Sequence, residues 1–396
     1  MSESKAKPKL KKLIHQVSIE SPAGLTKDCV LNFSIPVPET PPKGARIQII
    51  CAGACYQRNR SSSIISISSV SSDLSDHGNS PLLQHQPSIT SISASPYHIS
   101  GFRDGALFPG FEVAGTIESL GCDVLDNEYN LKVGQRVVIY PFEEIPDGYA
   151  ELIAVPSLKY VVQIPDTLPI SVAAMLPSGA LLAMSAVITA QEIIKKLLLE
   201  RGKDTKCKIL IVGTGGLTLW ACRIALYHFA NSDLKDSVHI TVASLKDEGI
   251  KLAHEIGNVD VVQWSEDLYE NQLIERTIDA CHGPVDIVID FGATSRTLRR
   301  SMRCLQKGGT VLINDEIDER ISPRFENLVQ ENNIKIVSIS KGTIEQFHEL
   351  VKLVASNKIT PPPYTVFPFE QASEVVRKLC SSQIPGRAIL QFHDVE

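Results

Sequence analysis

From Lys206 to Ile339, short apolar runs alternate with segments of helical periodicity, and this alternation restricts the possible folds more than any other feature. The runs are Lys208–Val212, His239–Ala243, Val259–Val262, Val285–Asp290, Thr310–Ile313 and Ile334–Ile339. Near-continuous Val, Ile and Leu suit strands buried on both faces, which predicts a parallel sheet with helices on either side. Between the runs, apolar residues recur at helical spacing, as at Leu217, Trp220, Ala221, Ile224 and Ala225. Six strands joined this way predict a doubly wound α/β sheet. No internal repeat exists beyond the alternation.

The first strand runs into Val212-Gly213-Thr214-Gly215-Gly216-Leu217. A glycine turn between strand and helix lets backbone N–H groups and the positive helix end approach a dinucleotide pyrophosphate. Gly213 permits the tight turn, Gly215 the close approach, and Gly216 stands beside them. The third glycine of the G-x-G-x-x-G pattern is replaced by Thr218, which predicts a helix pushed slightly outward unless Gly216 offsets it. The second strand ends Val242-Ala243-Ser244-Leu245-Lys246, without the carboxylate that usually accepts bonds from an NAD ribose. Ser244 can donate to a 2′-phosphate and Lys246 can neutralise it, so charge favours NADP(H) over NAD(H). The competing reading is that Lys246 caps a solvated turn.

The N-terminal half is different. Val30–Ile35, Ala45–Ala52, Glu112–Ile117 and Val133–Ile139 read as strands bounded by Pro or Gly. Between them, residues 61–100 are dominated by Ser with isolated Ile, a composition that predicts a mobile loop. Five lysines between Lys5 and Lys12 form a basic tail, expected to be solvated. A net charge of −6 and a pI near 6.0 give no dominant basic face and argue against a nucleic-acid partner. No apolar stretch follows the lysines, so no signal peptide is expected. Nine cysteines without a repeating spacing suit reduced thiols in a cytoplasmic protein. The uncharged stretch Thr167 to Gln191 contains two prolines and is expected to be a buried helix with its approach, not a membrane span.

Several landmarks together resemble the medium-chain dehydrogenase/reductase family, of zinc-type alcohol dehydrogenase-like character. They are Phe108-Pro109-Gly110-Phe111-Glu112-Val113-Ala114-Gly115, Lys132-Val133-Gly134-Gln135-Arg136-Val137, Gly148-Tyr149-Ala150-Glu151, Gly308-Gly309-Thr310-Val311 and Gly386-Arg387-Ala388-Ile389-Leu390. The resemblance implies a basic tail over 1–15, then a GroES-like β-rich catalytic domain over 16–175 carrying the Ser-rich insert 61–100. A Rossmann dinucleotide-binding domain over 176–340 and a return to the catalytic domain over 341–396 complete it. It also implies a pyrophosphate-binding role for Arg387 and a turn beneath the cofactor at Gly292. Leu182 stands where the family usually has a Thr facing the nicotinamide. Dimerisation through a sheet edge is usual in the family, so a homodimer is compatible with the resemblance.

The family's catalytic zinc site is broken in this sequence. Zinc-dependent relatives use Cys, His and Cys with a nearby Glu; here Cys55 and Glu112 remain, whereas Phe111 and Ser178 replace the other ligands. A phenyl ring cannot ligate, and a neutral hydroxyl is a poor substitute for a thiolate, so no metal ligand set is expected. The proton-relay hydroxyl falls at Gln57, which is no acid. Only residues 142–147 separate Pro141 from Gly148, leaving no room for a four-cysteine structural zinc lobe.

Two functions follow. One is zinc-independent hydride transfer from NADPH to a small carbonyl, enone or quinone, with Tyr56, Gln57 and Ser178 as candidate donors to a developing oxyanion. The other is a catalytically silent nucleotide-binding or scaffold protein. A zinc alcohol dehydrogenase is a distant third. No membrane partner is expected in any of them.

Overall fold

The computed structural model describes residues 13–19, 30–54, 112–124, 129–142, 148–202, 205–213, 215–244, 247–265, 267–292, 294–315, 318, 322–380 and 383–394. The Ser-rich segment 61–100 and most of the basic tail lie outside them. Strand β1 (Leu13–Ile19) pairs antiparallel with β2 (Val30–Pro36). The tail expected over 1–15 therefore ends sooner, because Ile14 and Val17 bury their side chains. β1 also reaches Gly148-Tyr149-Ala150-Glu151: the Val17 N–H donates to Tyr149 O at 2.7 Å, and Glu151 Oε2 accepts from the His15 N–H at 2.9 Å.

A seven-stranded sheet is built on β3 (Ala45–Ala54), β4 (Val113–Leu120), β5 (Arg136–Ile139), β6 (Leu152–Val155) and β7 (Val161–Gln163). The six-stranded parallel sheet follows. It comprises β8 (Cys207–Val212), β9 (Val238–Ser244), β10 (Asp260–Gln263), β11 (Val285–Asp290), β12 (Leu305–Asn314) and β13 (Lys335–Ile339). Its order β10-β9-β8-β11-β12-β13 is that of the doubly wound nucleotide-binding fold, with the reversal between β8 and β11. The chain then returns to the first sheet, where β14 (Tyr364–Pro368) pairs parallel with β15 (Arg387–Gln391) and β15 pairs antiparallel with β3.

Between the sheets, residues 167–191 form a helical turn at Ile170–Ala173, a π-helical turn at Leu176–Ala180 and the first part of the helix Leu181–Arg201. Its Ala-rich face, including Ala183, Ala186, Val187 and Ala190, is buried against the parallel sheet and the helix Gly216–Ala230. Among the described residues, no helix is long and apolar enough to cross a membrane. The helix Ile344–Ala355 packs Phe347, Leu350 and Val351 into the same core, so the return to the first sheet begins at β14. Strand signals were strong for every β element of the parallel sheet; in the seven-stranded sheet β6 and β7 are too short, at four and three residues, to carry a readable alternation.

Candidate functional site

The glycine turn lies at the C-terminal edge of the parallel sheet, between β8 and the helix Gly216–Ala230. Two of its three glycines have a steric reason. A Cβ on Gly213 would sit 2.2 Å from Thr218 Oγ1 and 3.3 Å from Phe291 Cβ. A Cβ on Gly216 would meet Arg387 Cδ at 2.4 Å and Cγ at 3.0 Å. At Gly215, the N-cap, an added Cβ would find nothing within 4 Å. The turn is thus tight on both sides and open at its tip, where amide N–H groups can reach an anion. Thr218 itself is buried, and its Oγ1 has no hydrogen-bond partner. The missing third glycine is therefore accommodated at Gly213.

Ser244 ends β9 and is buried; its carbonyl accepts from the Trp264 N–H at 2.8 Å. Lys246 lies outside the described residues. Just beyond it, Asp247 accepts a hydrogen bond from the Gln263 side chain. Gly292 forms the turn after β11, donating its N–H to Asp290 Oδ1 at 2.8 Å while Ser301 Oγ donates to Asp290 Oδ2 at 2.9 Å. Leu182 is half-buried at the start of the long helix.

Opposite the turn, the two sheets meet around Glu112, which is 1% exposed. Arg387, 11% exposed at the start of β15, forms an ion pair with Glu112 through Nη2. Ser178 Oγ donates to Glu112 Oε1, and the Gly179 N–H donates to the same oxygen at 3.3 Å. Both donors come from the π-helical turn, a backbone irregularity that recurs at functional sites. Room for the carboxylate is made by Gly53 in β3: a Cβ there would fall 2.1 Å from Glu112 Oε2. Tyr149 fixes that strand by donating its hydroxyl to Gly53 O at 2.8 Å. The result is a buried carboxylate neutralised by a guanidinium and held by hydroxyl and amide donors, the arrangement a buried charge requires.

Of the residues expected at the site, the fold brings Gly213, Gly215, Gly216, Ser178 and Arg387 together around one interdomain region, with Gly292 on the same edge of the sheet. Tyr56, Gln57, Cys55 and Phe111 lie outside the described residues. Ser178, an expected oxyanion donor, here donates to Glu112. Arg387, an expected pyrophosphate ligand, lies across Gly216 at the helix N-terminus but pairs with Glu112. The close packing of Glu112 on β3 had a sequence trace: the small-residue run Ala52-Gly53-Ala54 inside a strand signals a close approach.

A separate open cleft of about 450 Å³ lies where β5 meets the loop after β13, lined by Tyr140, Lys159, Tyr160, Lys341 and Glu345 among others. Tyr140 donates to Gly342 O at 2.8 Å, and Lys341 Nζ donates to Pro141 O at 3.1 Å. Burial, with smaller contributions from Glu345 and Tyr160, raises the Tyr140 phenol above its ordinary range.

A parallel sheet with a glycine turn at its switch point, joined to a GroES-like β domain, defines a two-domain nucleotide-binding fold. The zinc-binding dehydrogenase family matches residues 268–390. A zinc-type alcohol dehydrogenase-like protein of Schizosaccharomyces pombe is 26% identical over 306 residues, covering 72% of this chain and 82% of the relative. Among solved structures, the quinone oxidoreductase from Coxiella burnetii superposes with a TM-score of 0.64 at 17% identity, covering 96% of this chain and 100% of the other. The acetophenone reductase from Geotrichum candidum, solved with NAD, gives a TM-score of 0.61 at 18% identity, covering 96% and 97%. The family match, the relative and the structural neighbours together point to the medium-chain dehydrogenase/reductase family, whose members are oxidoreductases that bind nicotinamide cofactors.

Proposed function

We propose that this protein is an oxidoreductase that transfers hydride from NADPH to a small carbonyl, enone or quinone substrate without a catalytic zinc ion. The observation that carries this reading is the Ser178–Glu112–Arg387 cluster. A hydroxyl stands where zinc-dependent relatives carry a ligating thiolate, and the nearby carboxylate is neutralised by a guanidinium. With Phe111 in the histidine position, that donor set does not fit a three-ligand zinc site. The glycine turn does fit a dinucleotide, because the helix N-terminus is open at Gly215 while Arg387 adds positive charge beside Gly216. When bound, the dihydronicotinamide would supply the hydride. The protein would orient the acceptor and offer polar groups to its oxygen, with Ser178, Tyr56 and Gln57 as candidates. Preference for the 2′-phosphate rests on the β9 end, where Ser244-Leu245-Lys246 carries no carboxylate.

A silent nucleotide-binding role is the second reading. It is favoured by the pairing of Arg387 with Glu112, which competes with a pyrophosphate for the same guanidinium.

Titration with NADPH and NADH, followed by Trp220 and Trp264 fluorescence, tests the first reading. Tight NADPH binding, weaker NADH binding and a loss on Lys246→Ala are expected, together with NADPH oxidation by quinones or enones. No binding of either cofactor would refute it. Cofactor binding without turnover on any such acceptor would leave the silent role, and stoichiometric zinc lost on Cys55→Ser would overturn the zinc-independent chemistry.

A further inference from the structure

At the N-terminal edge of the parallel sheet, opposite the glycine turn, three potential ligands converge from three segments. His239 is the second residue of β9, Asp260 begins β10, and His282 occupies the turn between the helix Glu270–Ala280 and β11. Their ligand atoms all lie within 4.8 Å of one another. Asp260 Oδ2 is 3.0 Å from His239 Nε2 and 3.3 Å from His282 Nε2. Ligands bound at about 2.0–2.1 Å to a tetrahedral ion stand roughly 3.3 Å apart, so both separations are close to those of a metal's coordination sphere.

Two further observations separate this cluster from an ordinary surface ion pair. His239 Nε2 is buried and has no well-directed hydrogen bond despite its closeness to Asp260, whereas a backbone bond to Ala280 holds the same ring. A backbone carbonyl on one ring nitrogen, with the other turned into the cluster, is the usual way a protein presents a ligating imidazole. His282 adopts left-handed backbone at φ 55°, a conformation that favours Gly or Asn, and its N–H donates to Asp279 O at 2.9 Å. Its side chain is 70% exposed and contributes little to the core, so packing does not account for a histidine there. Two positive charges oppose a cation. Burial chiefly, and Lys206 to a smaller degree, disfavour a charged His239, and Lys208 Nζ donates to His282 O at 2.5 Å.

We infer that His239, Asp260 and His282 form a binding site for a divalent transition-metal ion of the Zn²⁺ class, with water completing its coordination. Two imidazoles and one carboxylate suit Zn²⁺, Co²⁺, Ni²⁺ or Fe²⁺ and do not suit Mg²⁺ or Ca²⁺, which prefer oxygen ligands. The site is remote from the glycine turn by the length of the strands, about 16–20 Å for five or six residues. Its ion would staple the starts of β9 and β10 to the turn before β11; it would touch neither cofactor nor substrate.

The test uses full-length protein stripped with EDTA and titrated with CoCl₂, following the visible absorption of four-coordinate Co²⁺, with displacement by ZnSO₄. One equivalent is expected, with a rise in melting temperature. His282→Asn, which tolerates the left-handed backbone, and Asp260→Asn should each weaken binding at least about tenfold, since even residues that only support a ligand are worth 10–100-fold. NADPH titration of the same variants should be unchanged, which shows that the fold is intact. No saturable Co²⁺ band at millimolar metal would overturn the assignment. So would a band that survives both substitutions, because the ion would then sit elsewhere.

Discussion

The Glu112–Arg387 pair is buried in the interdomain region, and replacing Arg387 with Met tests its contribution to stability. Methionine keeps an apolar stem over Gly216, where the arginine Cδ and Cγ now lie, and removes only the charged head. Glu112, 1% exposed, would then be buried without its counter-charge. Removing one partner of a buried pair costs about 3–5 kcal/mol. Ser178 and the Gly179 N–H still donate to Glu112, which places the loss at the lower end, about 3 kcal/mol. Glu112→Gln leaves an arginine that is 11% exposed and can reach water, so about 2 kcal/mol is expected. The double variant carries no buried charge. If it costs about 3 kcal/mol, the coupling between the two sites is about 2 kcal/mol.

Urea denaturation followed by far-UV circular dichroism reads these numbers. With a slope of about 3 kcal/mol/M, Arg387→Met lowers the midpoint by about 1 M. Both tryptophans lie in the parallel-sheet half, so their fluorescence should shift less than the dichroism signal if the halves unfold separately. Nucleotide affinity adds a second sign. Glu112→Gln releases the guanidinium toward a pyrophosphate and should tighten NADPH binding while it lowers stability. A coupling below about 0.5 kcal/mol would refute the reasoning, because independent residues add within that margin.

Thr218→Val replaces the unpartnered hydroxyl with a methyl of nearly the same shape and should stabilise the protein by about 1 kcal/mol in the same denaturation assay; a loss of that size would mean the hydroxyl has a partner. Burial pushes the Cys51, Cys222 and Cys304 thiols up to about 12, about three units above their ordinary value, so their thiolate fraction at pH 8 falls roughly a thousandfold. Among the described cysteines, exposed Cys122 should be alkylated by iodoacetamide first, with the buried three reacting only on unfolding, as mass spectrometry of the peptides can show. The Arg300 guanidinium, bound to Glu270 at 2.7 and 2.8 Å, holds that carboxyl below its ordinary range. A depressed carboxyl contributes stability above its unfolded pKa, near pH 4.5, and that contribution disappears as pH falls through the folded value. Glu270→Gln should therefore lower the melting temperature at pH 7 and flatten its decline below pH 4.5.

The parallel sheet was legible because its signal is local. Six apolar runs, a glycine turn and helical periodicity each fit within a dozen residues, and each is dictated by burial on two faces. The strand order and the return of β15 to β3 are not local; for these the family landmarks at Gly386-Arg387 and Phe108–Gly115 supplied what periodicity could not. The site divides the same way. Gly213, Gly215 and Gly216 are readable from spacing, and at Gly213 and Gly216 only a residue without a Cβ fits where Thr218 and Arg387 press. The partner of Arg387 is not readable, because Glu112 is 275 residues away in the chain and either a phosphate or a carboxylate satisfies a guanidinium.

The metal cluster marks the far limit of that legibility. His239, Asp260 and His282 are spaced by 20 residues or more, have no motif, and sit at strand starts where charged residues are ordinary. Only the parallel register, which sets Asp260 opposite Thr241, and the left-handed turn at His282 carry them to one place. A doubly wound sheet has two edges, and the residues at its strand starts converge as reliably as those at its strand ends. In this protein the strand ends carry the glycine turn expected of the family. The same parallel geometry gathers two imidazoles and a carboxylate at the other edge, so a metal there could act on stability without entering the chemistry.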